Sequence, residues 1–222
     1  MKQKILILSY LIVFNFVITS CKNDAIEVTV SEGTNMAAAL SPDKSTLAIS
    51  LQGTIWTIPV EGGKAKSVTD EMGDSQEPDW SPDGEKIVFH SYRDGTYHIW
   101  TINRDGSDLT QLTSGISDNR EPDWSPDGKS IVFSSDRSGN YDIWQIDLSS
   151  KELKQLTTDK ANDSNPAFSN SGTKIAFVSQ RAESGIYILE NGTEKLAVSE
   201  AMRIAAPSWN TDDSKLSYVA FT

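Results

Sequence analysis

The sequence of 222 residues has few of the residue types that most often carry chemistry, with one cysteine and two histidines. A single cysteine excludes an intramolecular disulfide. His90 and His98 are eight positions apart, which is not the spacing of a metal-binding histidine pair. The G-x-S-x-G and H-E-x-x-H motifs of serine hydrolases and zinc peptidases are absent from the sequence. We therefore predict that this chain has no catalytic residue, no cofactor and no metal site.

Basic residues are also scarce. Lys and Arg number 20 against 31 Asp and Glu, so the formal net charge is −11 at pH 7. Binding to nucleic acid depends on a surplus of Lys and Arg that faces the phosphates. The charge therefore argues against a nucleic-acid partner, and it also disfavours adsorption of the protein body to anionic lipid.

The only long apolar run is at the N-terminus, where Ile5–Ile18 follows two lysines. This order is typical of a secretory signal peptide, which we assign to residues 1–20, and the run is short for a membrane span. The sequence ITSC at 18–21 resembles the lipobox of bacterial lipoproteins, which implies cleavage before Cys21 and lipidation of Cys21. Lys22 stands where an aspartate would retain such lipoproteins in the inner membrane. The resemblance implies an exported protein that is lipid-anchored to the bacterial outer membrane.

One eight-residue sequence, EPDWSPDG, occurs twice, at 77–84 and at 121–128. Aligning the chain on the serine of this sequence gives five registers at intervals of 40, 44, 44 and 41 residues. The aligned positions are Ser41, Ser81, Ser125, Ser169 and Asn210. A bulky apolar residue precedes each position and an apolar run follows it. The chain is therefore built from repeats of about 40 to 45 residues.

Each complete repeat contains four short runs rich in β-branched and aromatic residues, separated by turn sequences. The second run is apolar on both alternations, as in Ile87, Val88 and Phe89, which indicates a strand buried on both faces. Four strands in a repeat of this length are typical of a β-propeller blade. We therefore predict an all-β fold, a β-propeller with four full blades and a partial fifth, belonging to an incomplete ring of six or seven blades.

The predicted domain organisation follows from these assignments. The predicted blades cover residues 35–70, 71–114, 115–158, 159–200 and, for the partial blade, 201–222. Residues 21–34 are predicted to form the linker to the anchor. Within this linker, Ile26–Val30 alternates apolar and polar residues and is predicted to supply an outer strand that closes the ring.

The Ser-Pro-Asp-Gly sequence fits a type I β-turn, with proline at the second position and glycine at the fourth. The motif is therefore predicted to be a structural turn, and not an active site that occurs twice. The tryptophan before it, Trp80 in the second blade, is predicted to pack against the next blade. The turn does not explain the Glu-Pro pair that precedes the tryptophan.

The second and third repeats resemble a known family. The sequences DWSPDGEKIVFHSYRDGTYHIWTIN from Asp79 and DWSPDGKSIVFSSDRSGNYDIWQID from Asp123 are similar to the WD-like propeller repeat of TolB. The same repeat occurs in the propellers of tricorn-type and prolyl-oligopeptidase-type peptidases and in the N-terminal propellers of some bacterial amidohydrolases. The resemblance covers residues 35–222.

Two functions are compatible with this resemblance. The first is a lipid-anchored, non-catalytic module that binds a protein or peptide of the cell envelope. The alternative is the N-terminal propeller of a larger exported hydrolase, an amidohydrolase or a peptidase, whose C-terminal catalytic domain is missing from this chain.

Three arginines recur at intervals of 44 residues, in the loops between the second and third predicted strands: Arg93, Arg137 and Arg181. Because neighbouring strands alternate in direction, these loops share a face with the loops that lead into each blade. That face also carries Glu77, Arg120 and Glu121, together with Asp74, Asp118, Asp163 and Arg203. We hypothesise that this face binds a peptide or a partner protein. The alternative is that each arginine pairs with a carboxylate of a neighbouring blade and serves only the repeat.

Overall fold

The computed structural model describes residues 36–200 and 202–221, which form eighteen β-strands and no helix. In this part of the chain, accordingly, there is no helix of the length and apolarity that crossing a membrane requires. The predicted signal peptide at 1–20, the lipidation site Cys21 and the predicted closing strand Ile26–Val30 lie outside the described residues.

The strands form five sheets in which sequential strands are antiparallel neighbours. The first sheet contains β1 (Ala38–Leu40), β2 (Thr46–Leu51), β3 (Thr54–Pro59) and β4 (Lys66–Ser67). The second contains β5 (Gln76–Trp80), β6 (Lys86–Ser91), β7 (His98–Asn103) and β8 (Thr110–Gln111). The third contains β9 (Asn119–Trp124), β10 (Ser130–Ser135), β11 (Asp142–Asp147) and β12 (Leu153–Gln155). The fourth contains β13 (Asp163–Phe168), β14 (Lys174–Ser179), β15 (Gly185–Glu190) and β16 (Thr193–Ser199), and the fifth contains β17 (Arg203–Trp209) and β18 (Leu216–Phe221).

The first strands of successive sheets are neighbours in space: β1 contacts β5, β5 contacts β9, β9 contacts β13 and β13 contacts β17. The sheets are therefore arranged around a common inner side, as the blades of a propeller are. The prediction of an all-β propeller with four full blades and a two-stranded fifth is confirmed. In the described residues the ring is not closed, and the total of six or seven blades stays a prediction.

The core lies between the sheets. In the second, third and fourth sheets the second strands are buried on both faces, as predicted, and all six residues of β10 are buried. Phe89, Phe133 and Phe177 occupy one repeat position on β6, β10 and β14, and none is exposed. Burial of each such ring stabilises the fold by about 1.5–3 kcal/mol. These rings face the preceding sheet, as Phe133 does against Val88 and Ile99 of the second sheet. On the opposite face, Val219 of β18 is 50% exposed, because among the described residues no further sheet covers it.

The prediction that Trp80 packs against the next blade was wrong. Trp80 lies in a core cluster with Ala48 and Ile55 of the first sheet, and its indole N–H donates a 3.1 Å hydrogen bond to the Ala39 carbonyl. Side chains alternate between the two faces of a strand, and the sequence does not indicate which face points backward along the ring. The tryptophan faces the preceding blade.

Candidate functional site

The Ser-Pro-Asp-Gly sequence forms the predicted structural turn. In the third sheet, the Ser125 hydroxyl donates to the Asp127 carboxylate at 2.7 Å, and the Ser130 N–H donates back to the Ser125 hydroxyl at 3.0 Å. The Gly128 N–H closes the turn on the Ser125 carbonyl at 2.8 Å. The polar atoms of this turn are satisfied within the turn and its adjacent strand, so the sequence works as a connector between the first two strands.

The Glu-Pro pair of the second and third sheets lies at a β-bulge in the first strand, where the register with the second strand shifts. Asn-Pro in the fourth sheet and Ala-Pro in the fifth lie at the same bulge. The residue before proline has a positive φ in every case: Glu77 (50°), Glu121 (57°), Asn165 (51°) and Ala206 (51°). A non-glycine residue in this left-handed region is uncommon, and it persists only where the surrounding structure holds the backbone in place. The bulge therefore explains the part of the motif that the turn does not.

The first two acidic residues of the motif, Glu121 and Asp123, link neighbouring sheets. The Glu121 carboxylate accepts hydrogen bonds from the Ser134 hydroxyl at 2.6 Å and from the Asn165 N–H of the fourth sheet at 2.7 Å. Asp123 of the third sheet accepts the Phe168 N–H of the fourth sheet at 2.7 Å. Burial raises the pKa of Asp123, and the nearby Asp79 raises it further. Glu121 and Asp123 therefore have a structural role.

The first of the three repeat arginines is held by an ion pair. Arg93 donates two hydrogen bonds to the Asp70 carboxylate, at 2.7 and 3.0 Å, and its guanidinium lies 5.6 Å from the centre of the Trp100 ring. Its side chain is 15% exposed. Asp70 lies between the first and second sheets, so this pair connects consecutive blades.

The other two arginines have the same aromatic contact but different polar partners. Arg137 lies 4.9 Å from the Trp144 ring centre and donates to Asn119 and Ser135, and among the described residues it forms no ion pair. Burial lowers the pKa of Arg137. Arg181 lies 4.6 Å from the Tyr187 ring centre. Its guanidinium contacts three carboxylates of its own repeat, those of Asp159, Asp163 and Glu194. The three guanidinium groups are thus used inside the protein and are spread over three blades.

A different group of side chains meets where the second and third sheets adjoin. We call it the tyrosine cluster, and its members are Glu77, His90, Tyr92, Tyr97 and Arg120. The Tyr97 ring lies 5.3 Å from His90 and 5.1 Å from Tyr92, and the Arg120 guanidinium stacks 3.9 Å from the Tyr97 ring centre. Two predicted site residues, Glu77 and Arg120, therefore come together here, and a third, Glu121, donates its N–H to His90 Nδ1 at 3.3 Å.

Hydrogen bonds and charges fix the members of the cluster. Arg120 pairs with Asp118 at 2.9 Å, and the Tyr97 hydroxyl donates to Asp74 at 2.6 Å. Burial lowers the pKa of His90 to about 3, with a further contribution from Arg120, so this imidazole is neutral at pH 7. Burial and the Asp74 carboxylate raise the pKa of Tyr97 to about 12.

Glu77 has the most unusual environment. Although 43% of its side chain is exposed, one carboxyl oxygen lies 3.7 Å from the buried His90 Nδ1. Loss of solvent around the carboxyl and the nearby Glu121 carboxylate both raise the pKa of Glu77, to about 8, and Arg120 opposes the rise. Across the described ranges, no group of three or more His, Cys, Asp or Glu is arranged to hold a metal ion. The cluster combines a carboxylate, a guanidinium and aromatic rings, which suits non-covalent binding.

Sequence reasoning missed the three aromatic members of the cluster, His90, Tyr92 and Tyr97. Both tyrosines flank the Arg93 loop in the sequence SYRDGTY, which was the available signal. The remaining predicted residues of this face, Asp74, Asp118 and Asp163, are occupied by the contacts given above. Arg203 lies 5.4 Å from the Phe221 ring centre.

Comparison with known proteins agrees with this fold. The sequence matches the family model of the TolB beta propeller domain over residues 15–121 and 94–190. A protein assigned as TolB from Agrobacterium tumefaciens superposes with a TM-score of 0.78 and 21% identity, over 85% of this chain and 70% of that one.

Two further solved structures are similar. For TolB from Acinetobacter baumannii the TM-score is 0.68 and the identity 23%, over 82% of this chain and 47% of that one. A puromycin-hydrolyzing peptidase from Mycobacterium tuberculosis gives a TM-score of 0.62 at 14% identity, over 77% of this chain and 30% of that one. The chain thus spans less than half of the Acinetobacter TolB and less than a third of the peptidase.

Proposed function

This chain belongs to the TolB β-propeller domain family, and we propose that it acts as a non-catalytic protein- or peptide-binding module of the bacterial envelope. The supporting observation is the composition of the face that carries the arginine loops, which we call the upper face. It presents apolar side chains and the tyrosine cluster together, whereas its repeat arginines are used in internal contacts.

Two apolar residues of the upper face occupy one repeat position on consecutive blades. Met72, which precedes the second sheet, is 86% exposed, and Ile116, which precedes the third, is 94% exposed. Tyr92 of the tyrosine cluster is 48% exposed. Large exposed apolar side chains surrounded by polar groups are typical of sites that bind a partner. With acidic residues around them and a chain charge of −11, they suit a partner that is apolar and cationic.

A photoreactive amino acid in place of Ile116 tests this binding surface in living cells. We expect a discrete cross-linked adduct with one envelope protein or peptide, identified by mass spectrometry. The matched control is the same substitution at Asn191, an exposed residue in the turn between β15 and β16 at the opposite face. Adducts of equal yield at both positions, or none at position 116, would contradict the proposal.

The location of the module is a separate part of the proposal. Residues 18–21 support export and lipidation at Cys21, with an outer-membrane anchor. We expect Cys21→Ser to release the protein from the membrane fraction, and we expect the native N-terminus to carry acyl chains in mass spectrometry. Retention of the Cys21→Ser protein in the membrane would exclude the lipid anchor.

A second candidate function is supported by the fifth sheet. Val219 is 50% exposed, so this sheet has a face that further blades would cover. The residues at the same repeat position, His90, Ser134 and Val178, are buried, and Val178 packs against Ile204 of the next sheet. The alternative is that these blades are the propeller of a larger exported hydrolase, an amidohydrolase or a peptidase. An immunoblot of source-cell membranes distinguishes the two. A band near the mass of about 202 residues plus lipid supports the stand-alone module, since a signal of about 20 residues is removed, and a much heavier band supports the hydrolase.

A further inference from the structure

The repeats allow one blade to be compared with another at the same position. Glu77 in β5 and Glu121 in β9 both precede the proline of the bulge, with φ of 50° and 57°. In the third sheet the Glu121 carboxylate is fully engaged, because it accepts the Ser134 hydroxyl and the Asn165 N–H of the next sheet. The equivalent donors in the second sheet would be the side chain of residue 90 and the N–H of Glu121.

In the second sheet, neither of these two groups donates a hydrogen bond to Glu77. Residue 90 is histidine, and its Nδ1 accepts the Glu121 N–H at 3.3 Å. The same Nδ1 lies 3.7 Å from Glu77 Oε2, and as an acceptor in a neutral ring it has no proton to donate. Among the described residues, the Glu77 carboxylate consequently accepts no hydrogen bond. Glu77 is thus freed from the structural role that Glu121 retains, and 43% of its side chain is exposed.

The surroundings of Glu77 indicate which kind of chemical group could bind to its carboxylate. Burial and the Glu121 carboxylate raise the pKa of Glu77 to about 8, so a positive charge beside Glu77 favours its ionised form at pH 7. The ionised carboxylate is an acceptor only, so its partner must donate. The one cation in the cluster, Arg120, is already paired with Asp118 at 2.9 Å. The aromatic rings of Tyr92 and Tyr97 adjoin His90 in a continuous row, and aromatic rings attract cations. An organic cation with several N–H donors fits these conditions.

We propose that Glu77 is the residue that binds the primary ammonium group of a peptide ligand, with Tyr92 and Tyr97 as the aromatic flank of the site. The ammonium group is that of a lysine side chain or of a peptide N-terminus, since both present three donors and one positive charge. His90 acts as a positioning residue, because its Nδ1 accepts the Glu121 N–H that would otherwise donate to Glu77. This assignment rests on the proposed peptide-binding function and specifies the ligand chemistry of that surface.

Two small amines test the assignment by NMR titration of the full chain. N-acetyl-lysine methylamide carries only a side-chain ammonium, and glycinamide carries only an α-ammonium, so the two probes separate the sources. We expect at least one of them to shift the backbone signals of Tyr97 and Glu121 in a saturable manner. Glu77→Gln should weaken that binding about tenfold through loss of a charge-assisted hydrogen bond. Glu152→Gln, at an exposed glutamate whose side chain has no partner among the described residues, should leave it unchanged.

His90→Ser provides an independent variant. The new serine hydroxyl is equivalent to that of Ser134 in the third sheet, and the Glu121 N–H is then free to donate to Glu77. We therefore expect the amine affinity to fall although Glu77 is intact. Equal affinity of the wild type and Glu77→Gln overturns the assignment, as does the absence of amine binding to the wild type. Stronger shifts of the same signals with Ca²⁺ alone also overturn it, because the site is then a metal site.

The outcomes separate this assignment from the function on which it rests. If position 116 still forms its cross-linked adduct and Glu77→Gln changes neither the adduct nor amine binding, only the role of Glu77 is refuted. If position 116 forms no adduct, the binding function fails whatever the amines do.

Discussion

The carboxylate of Asp123 in the third sheet accepts a 2.7 Å hydrogen bond from the backbone N–H of Phe168 in the fourth sheet. Asp79 makes the equivalent bond to the Trp124 N–H, at 3.0 Å. Each bond joins the first strands of two sheets, close to the inner side of the ring. The aspartate of the DWSPDG sequence therefore stabilises the packing of consecutive blades.

Removal of this acceptor should destabilise the protein. We expect Asp123→Ala to lower the free energy of unfolding by about 1–3 kcal/mol, because the Phe168 N–H is left buried without a partner. Urea denaturation followed by tryptophan fluorescence measures the change. Glu152→Ala, at an exposed side chain, is the control and should be neutral. Equal stability of the two variants would show that the inter-sheet bond contributes nothing.

The same aspartate should make stability depend on pH. Burial and the nearby Asp79 raise the pKa of Asp123 above its ordinary value of 3.8. The folded protein then holds a proton that the unfolded chain has released, so this contribution to stability falls as the pH rises above about 4.

The measurement compares urea denaturation at pH 5 and pH 7.5 for the wild type and for Asp123→Asn. We expect a larger fall in stability from pH 5 to pH 7.5 in the wild type. The comparison cancels the opposite effect of His90, whose lowered pKa reduces stability as the pH falls below 6.5. An identical pH dependence of both proteins would contradict the raised pKa.

The repeat arginines should matter for stability more than for binding. Arg137 stacks on Trp144 and donates to Asn119 and Ser135. We expect Arg137→Ala to cost about 2–3 kcal/mol, because two hydrogen bonds of a charged group and an aromatic contact are lost.

The control for this variant is Lys129→Ala, at a side chain that is 79% exposed and should contribute less than 0.5 kcal/mol, roughly the limit for a surface substitution. Thermal unfolding and cross-linking through position 116 are measured on the same proteins. Unchanged stability of Arg137→Ala together with lost cross-linking would instead place Arg137 in the binding surface.

Gly185 should tolerate no side chain. A Cβ atom at this first residue of β15 would overlap the carbonyl oxygen of Val198 in β16. We expect Gly185→Ala to destabilise the protein by about 3 kcal/mol, since the backbone must move. Gly192→Ala is the matched control. It has free space around the new methyl and only a φ of 72° to strain it, so a loss of about 1 kcal/mol is expected. Equal losses in a thermal melt would exclude the steric explanation.

The open fifth sheet should promote association. Tyr218, Val219 and Phe221 of β18 are 36–50% exposed, on a strand whose outer edge is unpaired in the described residues. Exposed apolar edge strands are templates for pairing with another chain. We expect the protein to form concentration-dependent oligomers in analytical ultracentrifugation, and Val219→Lys to shift it toward monomer. The control is Thr193→Lys, on an exposed part of β16, and dissociation by this change as well would exclude a specific edge effect.

Much of the fold could be predicted because its signals are local. The apolar runs around Phe89 and Phe133 fixed the second strands, and the Ser-Pro-Asp-Gly turns fixed the connections between the first and second strands. The direction in which Trp80 packs could not be predicted, because it depends on which face of the sheet meets the preceding blade.

The candidate site was predictable only in part, for the same reason. The sequence placed Glu77, Arg120 and Glu121 on one face, and the structure brings all three near His90. Glu121 accepts two hydrogen bonds and Glu77 accepts none, and this difference depends on a side chain of the adjacent strand and on a backbone N–H of the next blade. Such contacts are set by three-dimensional packing and have no signature in a linear repeat.

The contacts between sheets join each blade to its neighbours in the chain, and the Asp123–Phe168 bond spans 45 residues. Across the described residues, tertiary structure is therefore assembled over distances of about one repeat. A blade that has emerged from the ribosome can dock on the one before it without waiting for the C-terminus. The chain is thus suited to fold progressively during synthesis or export, one blade after another.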